Sequence, residues 1–258
     1  MKLLRSTAAG NTIIKIRPHY IVGVLIAILL SAVPVTATED EAKDYEILLI
    51  GNSHSSRNNL PGLLAILIET GLPSKTVHAR TAPRWGFLVD HLQDNKTQKL
   101  LQSQTWTHVI LQAQKYSSSG RYFYPTTAAE ELIRRAKLQD AVPIMFPEWP
   151  RRGNTEEGQR VHKLHQQIAA REPACVAPVG LAWQLVFEQN PSLKLHAPDG
   201  NHSNRQGALL TAYVLYEVIT GKPAAQLPYV SSIKVGSEAQ EILRNSASES
   251  INDQPYCP

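Results

Sequence analysis

Residues 45–55 read Tyr-Glu-Ile-Leu-Leu-Ile-Gly-Asn-Ser-His-Ser. The run from Tyr45 to Ile50 is apolar and too short for a helix, so it reads as a buried strand. At Gly51 the pattern turns polar. Helical spacing begins soon after, over 60–70, with Pro61 tolerated in the first turn. A buried strand leading through a polar turn into a helix is the start of a βα unit, and the same alternation continues along the chain.

Residues 76–80, 106–112, 142–146 and 175–179 read as further strands, with Pro147 ending the third of these. Helical spacing covers 126–138, where Thr126 or Thr127 can cap and Glu130 and Glu131 sit near the start. The mostly polar 153–170 reads as an exposed helix. Residues 182–189 and 205–220 read as two more helices, and Gly221 supplies the C-cap of the second. The tail beyond Gly221 reads as irregular chain over the surface. Strand–helix alternation requires crossover connections. The expected fold is therefore α/β, a three-layer α/β/α arrangement around a mainly parallel, flavodoxin-like sheet. Such sheets bind ligands beyond the C-terminal ends of their strands.

The first 37 residues read differently. Lys2, Arg5, Lys15 and Arg17 precede an apolar run over 20–32, followed by Pro34 and the small residues Val35, Thr36 and Ala37. Basic, then apolar, then small is the order of a secretory signal, with cleavage expected after Ala37. An uncleaved N-terminal anchor is the alternative, and it is the only membrane contact expected. The expected organisation is signal or anchor over 1–37 and one domain over 38–258, placed in the secreted or periplasmic space. Of 26 Lys and Arg, four lie in the leader, which leaves 22 against 22 Asp and Glu. The formal charge of +4 thus belongs to the leader, and no nucleic-acid partner is expected. Cys175 and Cys257 would share an oxidising compartment, as a disulfide or as two free thiols.

Three polar stretches could carry chemistry, the first and the last of them just after predicted strands. Ser53, in the turn after the first strand, is placed for an exposed hydroxyl beside free backbone N–H groups, or simply to cap the next helix. Residues 196–202 read His-Ala-Pro-Asp-Gly-Asn-His. There Asp199 can reach one nitrogen of His202, fix its tautomer and leave the other nitrogen as a base. An Asx-type turn with a surface histidine is the plain alternative, and a metal site from His196, Asp199 and His202 is a third. Residues 111–115, Leu-Gln-Ala-Gln-Lys, offer side-chain amides at a strand end. His54 could face the site or solvate its turn, with the turn favoured, and Trp183 and Phe187 are expected in the core.

Together these stretches resemble the SGNH (GDSL-type) hydrolase superfamily over most of 45–221. ILLIGNSHS (47–55) matches its serine block, with Asn52 in place of the usual Asp. Trp85-Gly86-Phe87 matches the glycine block, ahead of a helix containing His91. VILQAQKYS (109–117) matches the asparagine block in position but not in residue. Asp199 and His202 match the terminal DxxH block, and the helix that follows continues as that family's last helix does.

The resemblance implies a serine hydrolase of carboxylic, including acetyl, esters that works through an acyl-enzyme. Ser53 is the implied nucleophile, His202 its base and Asp199 the group that orients His202. The implied oxyanion hole uses the N–H groups of Ser53 and Gly86 and, in place of the missing Asn, the amide of Gln114, with Gln112 as fallback. Arg84, Trp85 and Trp149 are the expected substrate contacts, Trp149 by stacking on a sugar face, with a half-buried loop tryptophan as the alternative. The implied substrate is a small-molecule or glycan ester, and no metal or organic cofactor is implied. A non-catalytic exported binding protein on the same scaffold is the alternative that the altered third block allows.

Overall fold

The computed structural model describes residues 44–83, 85–252 and 256–257. The expected leader over 1–37 and the expected contact Arg84 lie outside the described residues. Among the described residues no helix is long and apolar enough to cross a membrane.

Five strands form one all-parallel sheet: β1 (Tyr45–Ile50), β2 (Val77–Thr81), β3 (His108–Gln112), β4 (Val142–Phe146) and β5 (Cys175–Val176), in the order β2-β1-β3-β4-β5. This is the expected flavodoxin-like order. The side-chain period of two splits β1 between two cores. Ile47 and Leu49 pack with α1 (Leu60–Gly71), α6 (Val179–Gln189), α7 (Arg205–Thr220) and α8 (Ser237–Asn252). Leu48 and Ile50 face the opposite layer, α2 (Leu88–Gln93), α3 (Asn95–Gln102), α4 (Thr127–Lys137) and α5 (Glu157–Arg171). Both faces of the sheet are covered, which is why its inner strands are largely apolar, whereas the edge strand β2, Val-His-Ala-Arg-Thr, alternates.

Three expectations fail for identifiable reasons. The tail beyond Gly221 is not irregular: it contains the 16-residue α8, packed on α6 and α7. Its buried face mixes Leu243, Ala247 and Ile251 with Ser246, Ser248 and Ser250, so small hydroxyls hide the apolar stripe. Ser248 Oγ donates to Glu217 and Ser250 Oγ to the Ala247 carbonyl, which makes burial of these hydroxyls acceptable. Next, α5 is not wholly exposed, because Val161, His162, His165 and Ile168 form a buried face. Last, β5 stops at Val176. Pro178 has no N–H to extend a ladder, and α6 begins at Val179. A disulfide joins Cys175 to Cys257 and ties the C-terminal segment to β5. Gly221 ends α7 in the left-handed conformation, as expected (φ 65°).

Candidate active site

The strand succession reverses at β1, which has β2 on one side and β3 on the other. The ends of β1 and β3 therefore flank the crevice where ligands bind in such sheets. Ser53 stands there, three residues beyond β1 (Tyr45–Ile50), and opens a short 3₁₀ turn, Ser53–Ser55. The turn closes on itself: Asn52 Oδ1 accepts His54 N–H at 2.9 Å, and the Asn52 carbonyl accepts Ser55 N–H at 3.2 Å and Ser55 Oγ–H at 2.8 Å. Ser53 N–H takes part in none of these bonds. A glycine is required at 51, because a Cβ there would collide with Gln112 Oε1 and Ser55 Oγ. His91 of α2, wholly buried, lies 2.9 Å from the Gly51 carbonyl through Nε2 and so ties α2 to the turn.

Asp199 and His202 reach Ser53 from the far end of the chain. Their loop is a small hairpin in which His196 pairs with Ser203, and Ala197 N–H donates to the His202 carbonyl at 2.8 Å. Gly200 turns the hairpin at φ 69°, where a side chain would be strained. Asn58 Nδ2 donates to the Ser203 carbonyl at 2.8 Å, which staples the hairpin to the chain just beyond the serine turn. Ser53 Oγ and His202 Nε2 are 2.8 Å apart, and His202 Nδ1 lies 2.7 Å from Asp199 Oδ2. The other carboxylate oxygen accepts Asn201 N–H and His202 N–H, each at 2.9 Å. Those two backbone donors, then the His202 side chain, hold the Asp199 carboxyl well below the usual carboxylate range. With Asp199 fixed as an anion, His202 Nδ1 carries its proton toward the carboxylate, and Nε2 is left as acceptor for the Ser53 hydroxyl.

The remaining expected residues fall elsewhere. Gln114 does not face the serine turn as a free donor: its Nε2 donates to the Lys115 carbonyl at 2.9 Å and the Pro125 carbonyl at 3.1 Å, so both amide protons are engaged in its own loop. Gln112, wholly buried, accepts Asn52 N–H at 2.8 Å and so supports the turn from below. Trp149 is not a sugar platform. It is 2% exposed, its ring stacks on Trp183 at 4.5 Å, and His54 lies at 4.8 Å. Trp149 Nε1–H donates to the Asn201 carbonyl at 2.9 Å, so the residue braces the histidine loop instead. Trp85, by contrast, is 68% exposed next to Gly86. His196 does not join Asp199 and His202. Its Nε2 sits 2.8 Å from the Pro150 carbonyl, and its ring stacks on Phe187. Among the described residues no group of three His, Cys, Asp or Glu is arranged to hold a metal ion.

His54 takes the inward of its two alternatives. It is buried rather than solvating the turn, with its ring at 5.1 Å from His202 and Nδ1 at 3.0 Å from Asn52 Oδ1. Its hydrophilic neighbours concealed this, since nothing local in Asn-Ser-His-Ser marks one polar side chain as inward.

No family profile and no curated protein sequence matches the chain. Solved structures do. A candidate SGNH hydrolase from Slackia heliotrinireducens is 28% identical with a TM-score of 0.53, covering 68% of this chain and 98% of that one. A DUF4886 family protein from Bacteroides uniformis has a TM-score of 0.63 at 16% identity, over 81% of this chain and 95% of that one. The psychrotrophic esterase EstA from Pseudoalteromonas sp., inhibited by monoethylphosphonate, has a TM-score of 0.50 at 16% identity, over 69% and 98%. The two structures at 16% identity share the fold; the 28% identical SGNH hydrolase, with the sheet order, the serine turn after β1 and the late Asp-x-x-His hairpin, identifies the chain as a member of the SGNH hydrolase superfamily.

Proposed function

We propose that this protein is an exported serine hydrolase of carboxylic esters, with acetyl esters among its substrates. The observation that carries the reading is the unbroken contact series Ser53 Oγ to His202 Nε2 to Asp199, at 2.8 and 2.7 Å. Both distances are those of strong hydrogen bonds. Ser53 Oγ attacks the acyl carbonyl while His202 Nε2 takes its proton. Asp199 holds the imidazole in the tautomer that leaves Nε2 unprotonated, and it stabilises the imidazolium that forms. His202 returns the proton to the leaving alcohol. Water then repeats the cycle on the acyl-enzyme and releases the acid.

The oxyanion hole in this reading is made by the backbone N–H groups of Ser53 and Gly86. Gln114 is left out because its amide is engaged elsewhere. Trp85, exposed beside Gly86, contributes the substrate rim. Export is supported by the order of the N-terminal residues and by the Cys175–Cys257 disulfide, a bond that persists in oxidising compartments.

Hydrolysis of a short-chain aryl acetate tests the reading. Activity is expected to survive a chelator and to fall about 10⁴-fold or more in Ser53→Ala. Undiminished activity in Ser53→Ala would remove Ser53 as nucleophile.

A further inference from the structure

Beneath the serine turn lies a buried cluster of polar groups that the relay does not use. Glu148 follows β4 and is only 7% exposed. Its Oε2 lies 3.5 Å from His54 Nδ1. His54 in turn has its ring against His202 at 5.1 Å, with 23° between the planes. The Gln112 amide is near enough to the Glu148 carboxyl to favour its charged form. Gln112 Nε2 is sealed from solvent and makes no hydrogen bond, while its Oε1 accepts the N–H of the Gly51–Asn52 peptide at 2.8 Å. The carboxyl therefore lies against the ring behind His202.

From this geometry we infer that Glu148 is a positioning residue for the hydrolytic site, holding His54 against His202. This rests on the reading of Ser53 as nucleophile and His202 as base. Fixing the His54 ring keeps the short Oγ–Nε2 approach from loosening, and small misplacements there are expensive in rate.

The groups that face Glu148 come from every neighbouring segment. His54 belongs to the serine turn, Gln112 to β3, Tyr116 to the loop after β3, Arg151 to the loop after β4, and Glu157 to α5. Burial first, and then the Glu157 charge, push the Glu148 carboxyl up to about 7, while Arg151 and Gln112 oppose them. Burial first, and then His202, push His54 down to about 4, so His54 stays neutral where Glu148 ionises. Glu157 is itself held by Tyr116 Oη at 3.2 Å and Arg151 N–H at 2.6 Å. Burial, Glu148 and Glu157 raise the Tyr116 phenol, which remains protonated. The ionisation that matters here is that of Glu148. A glutamine would fill the same space without the cost of a buried charge.

The test is steady-state kinetics of the full-length protein on a short-chain aryl acetate across pH, for the parent, Glu148→Gln, Glu148→Asp and Ser53→Ala. Glu148→Gln is expected to lose on the order of ten-fold in kcat above neutrality with little change in KM. It is also expected to lose the part of the kcat rise that the parent shows through about pH 7. Glu148→Asp, which keeps the charge, is expected to regain part of both. Parent-like kcat and pH profile in Glu148→Gln, with Ser53→Ala inactive, would overturn the role of Glu148 and leave the site reading intact. Activity in Ser53→Ala would instead overturn that reading. If Glu148→Gln does not fold, His54→Phe keeps a ring against His202 while severing its contact to the carboxyl. Loss of the same pH dependence is then expected, and its persistence overturns the inference.

Discussion

The two sides of Ser53 are built by different means. On the His202 side every step is a named side chain at short range: Ser53 Oγ, His202 Nε2 and Nδ1, and Asp199 Oδ2. On the opposite side, where charge on an acyl oxygen would be received, the expected side-chain amide is absent. Gln114 is turned into its own loop and Gln112 into the support of the turn. In the proposed reading, backbone N–H groups at Ser53 and Gly86 take its place. The difference teaches that a proton relay needs specific side chains, whereas an oxyanion hole needs only aligned N–H groups, which most residue types supply.

The contrast can be broken or sharpened by substitution. The largest effect is expected on the relay side. Asp199→Asn keeps the shape but loses the anion that sets the His202 tautomer, and kcat is expected to fall about 10³- to 10⁴-fold. Steady-state kinetics checks this, and a loss below about ten-fold would mean that Asp199 merely shapes the hairpin. Because the Asn201 and His202 donors keep Asp199 ionised well below the ordinary carboxylate range, the acid limb of the rate profile is not expected to come from Asp199. Its contribution to folding is present above the ordinary Asp range and is lost only as pH falls through its depressed value.

An intermediate effect is expected beneath the turn, and it has opposite signs for rate and stability. The folded state raises the Glu148 pKa from 4.5 to about 7. Folded protein therefore holds this proton more tightly than unfolded chain. The stabilisation is full below the unfolded value and is lost as pH rises through the folded one. Above that pH, Glu148→Gln is expected to be the more stable protein by up to about 3 kcal/mol, even as it turns over more slowly. Thermal melts on either side of neutrality check the sign, which should vanish in acid.

The smallest effect is expected on the oxyanion side. Gln114→Ala removes an amide engaged with Lys115 and Pro125, and kcat is expected to change by less than about three-fold. Loss of a true oxyanion donor would cost about 10²-fold or more. A loss of that larger size would show that Gln114 swings into the site during turnover.

These contrasts track what could be read from the sequence. β1 was legible because its apolar run ends abruptly at Gly51, and α7 because Gly221 closes it. Ser53, Asp199 and His202 were legible because their chemistry requires those residue types at a strand end and in a late loop. Which way His54, Glu148 and Trp149 point stayed open. His54 stands in a turn, and Glu148 and Trp149 follow β4, where side-chain direction is set by contacts dozens of residues away, such as Trp149 on Trp183 and Asn201. Nor was α8 legible, since one of its buried serines, Ser248, depends on Glu217 of a different helix. Gln114 was misplaced because matching position in a block carries no information about χ angles. Ala113, just before it, takes φ 74°, and that turns the chain in a way no residue type announces.

The central claim is that Ser53 is the nucleophile, and labelling with an active-serine phosphonate tests it most directly. Peptide mass mapping is expected to place a single stoichiometric adduct on Ser53, slowed in Asp199→Asn and absent in Ser53→Ala. An adduct on another residue, or none from protein that still hydrolyses an aryl acetate, would contradict the account.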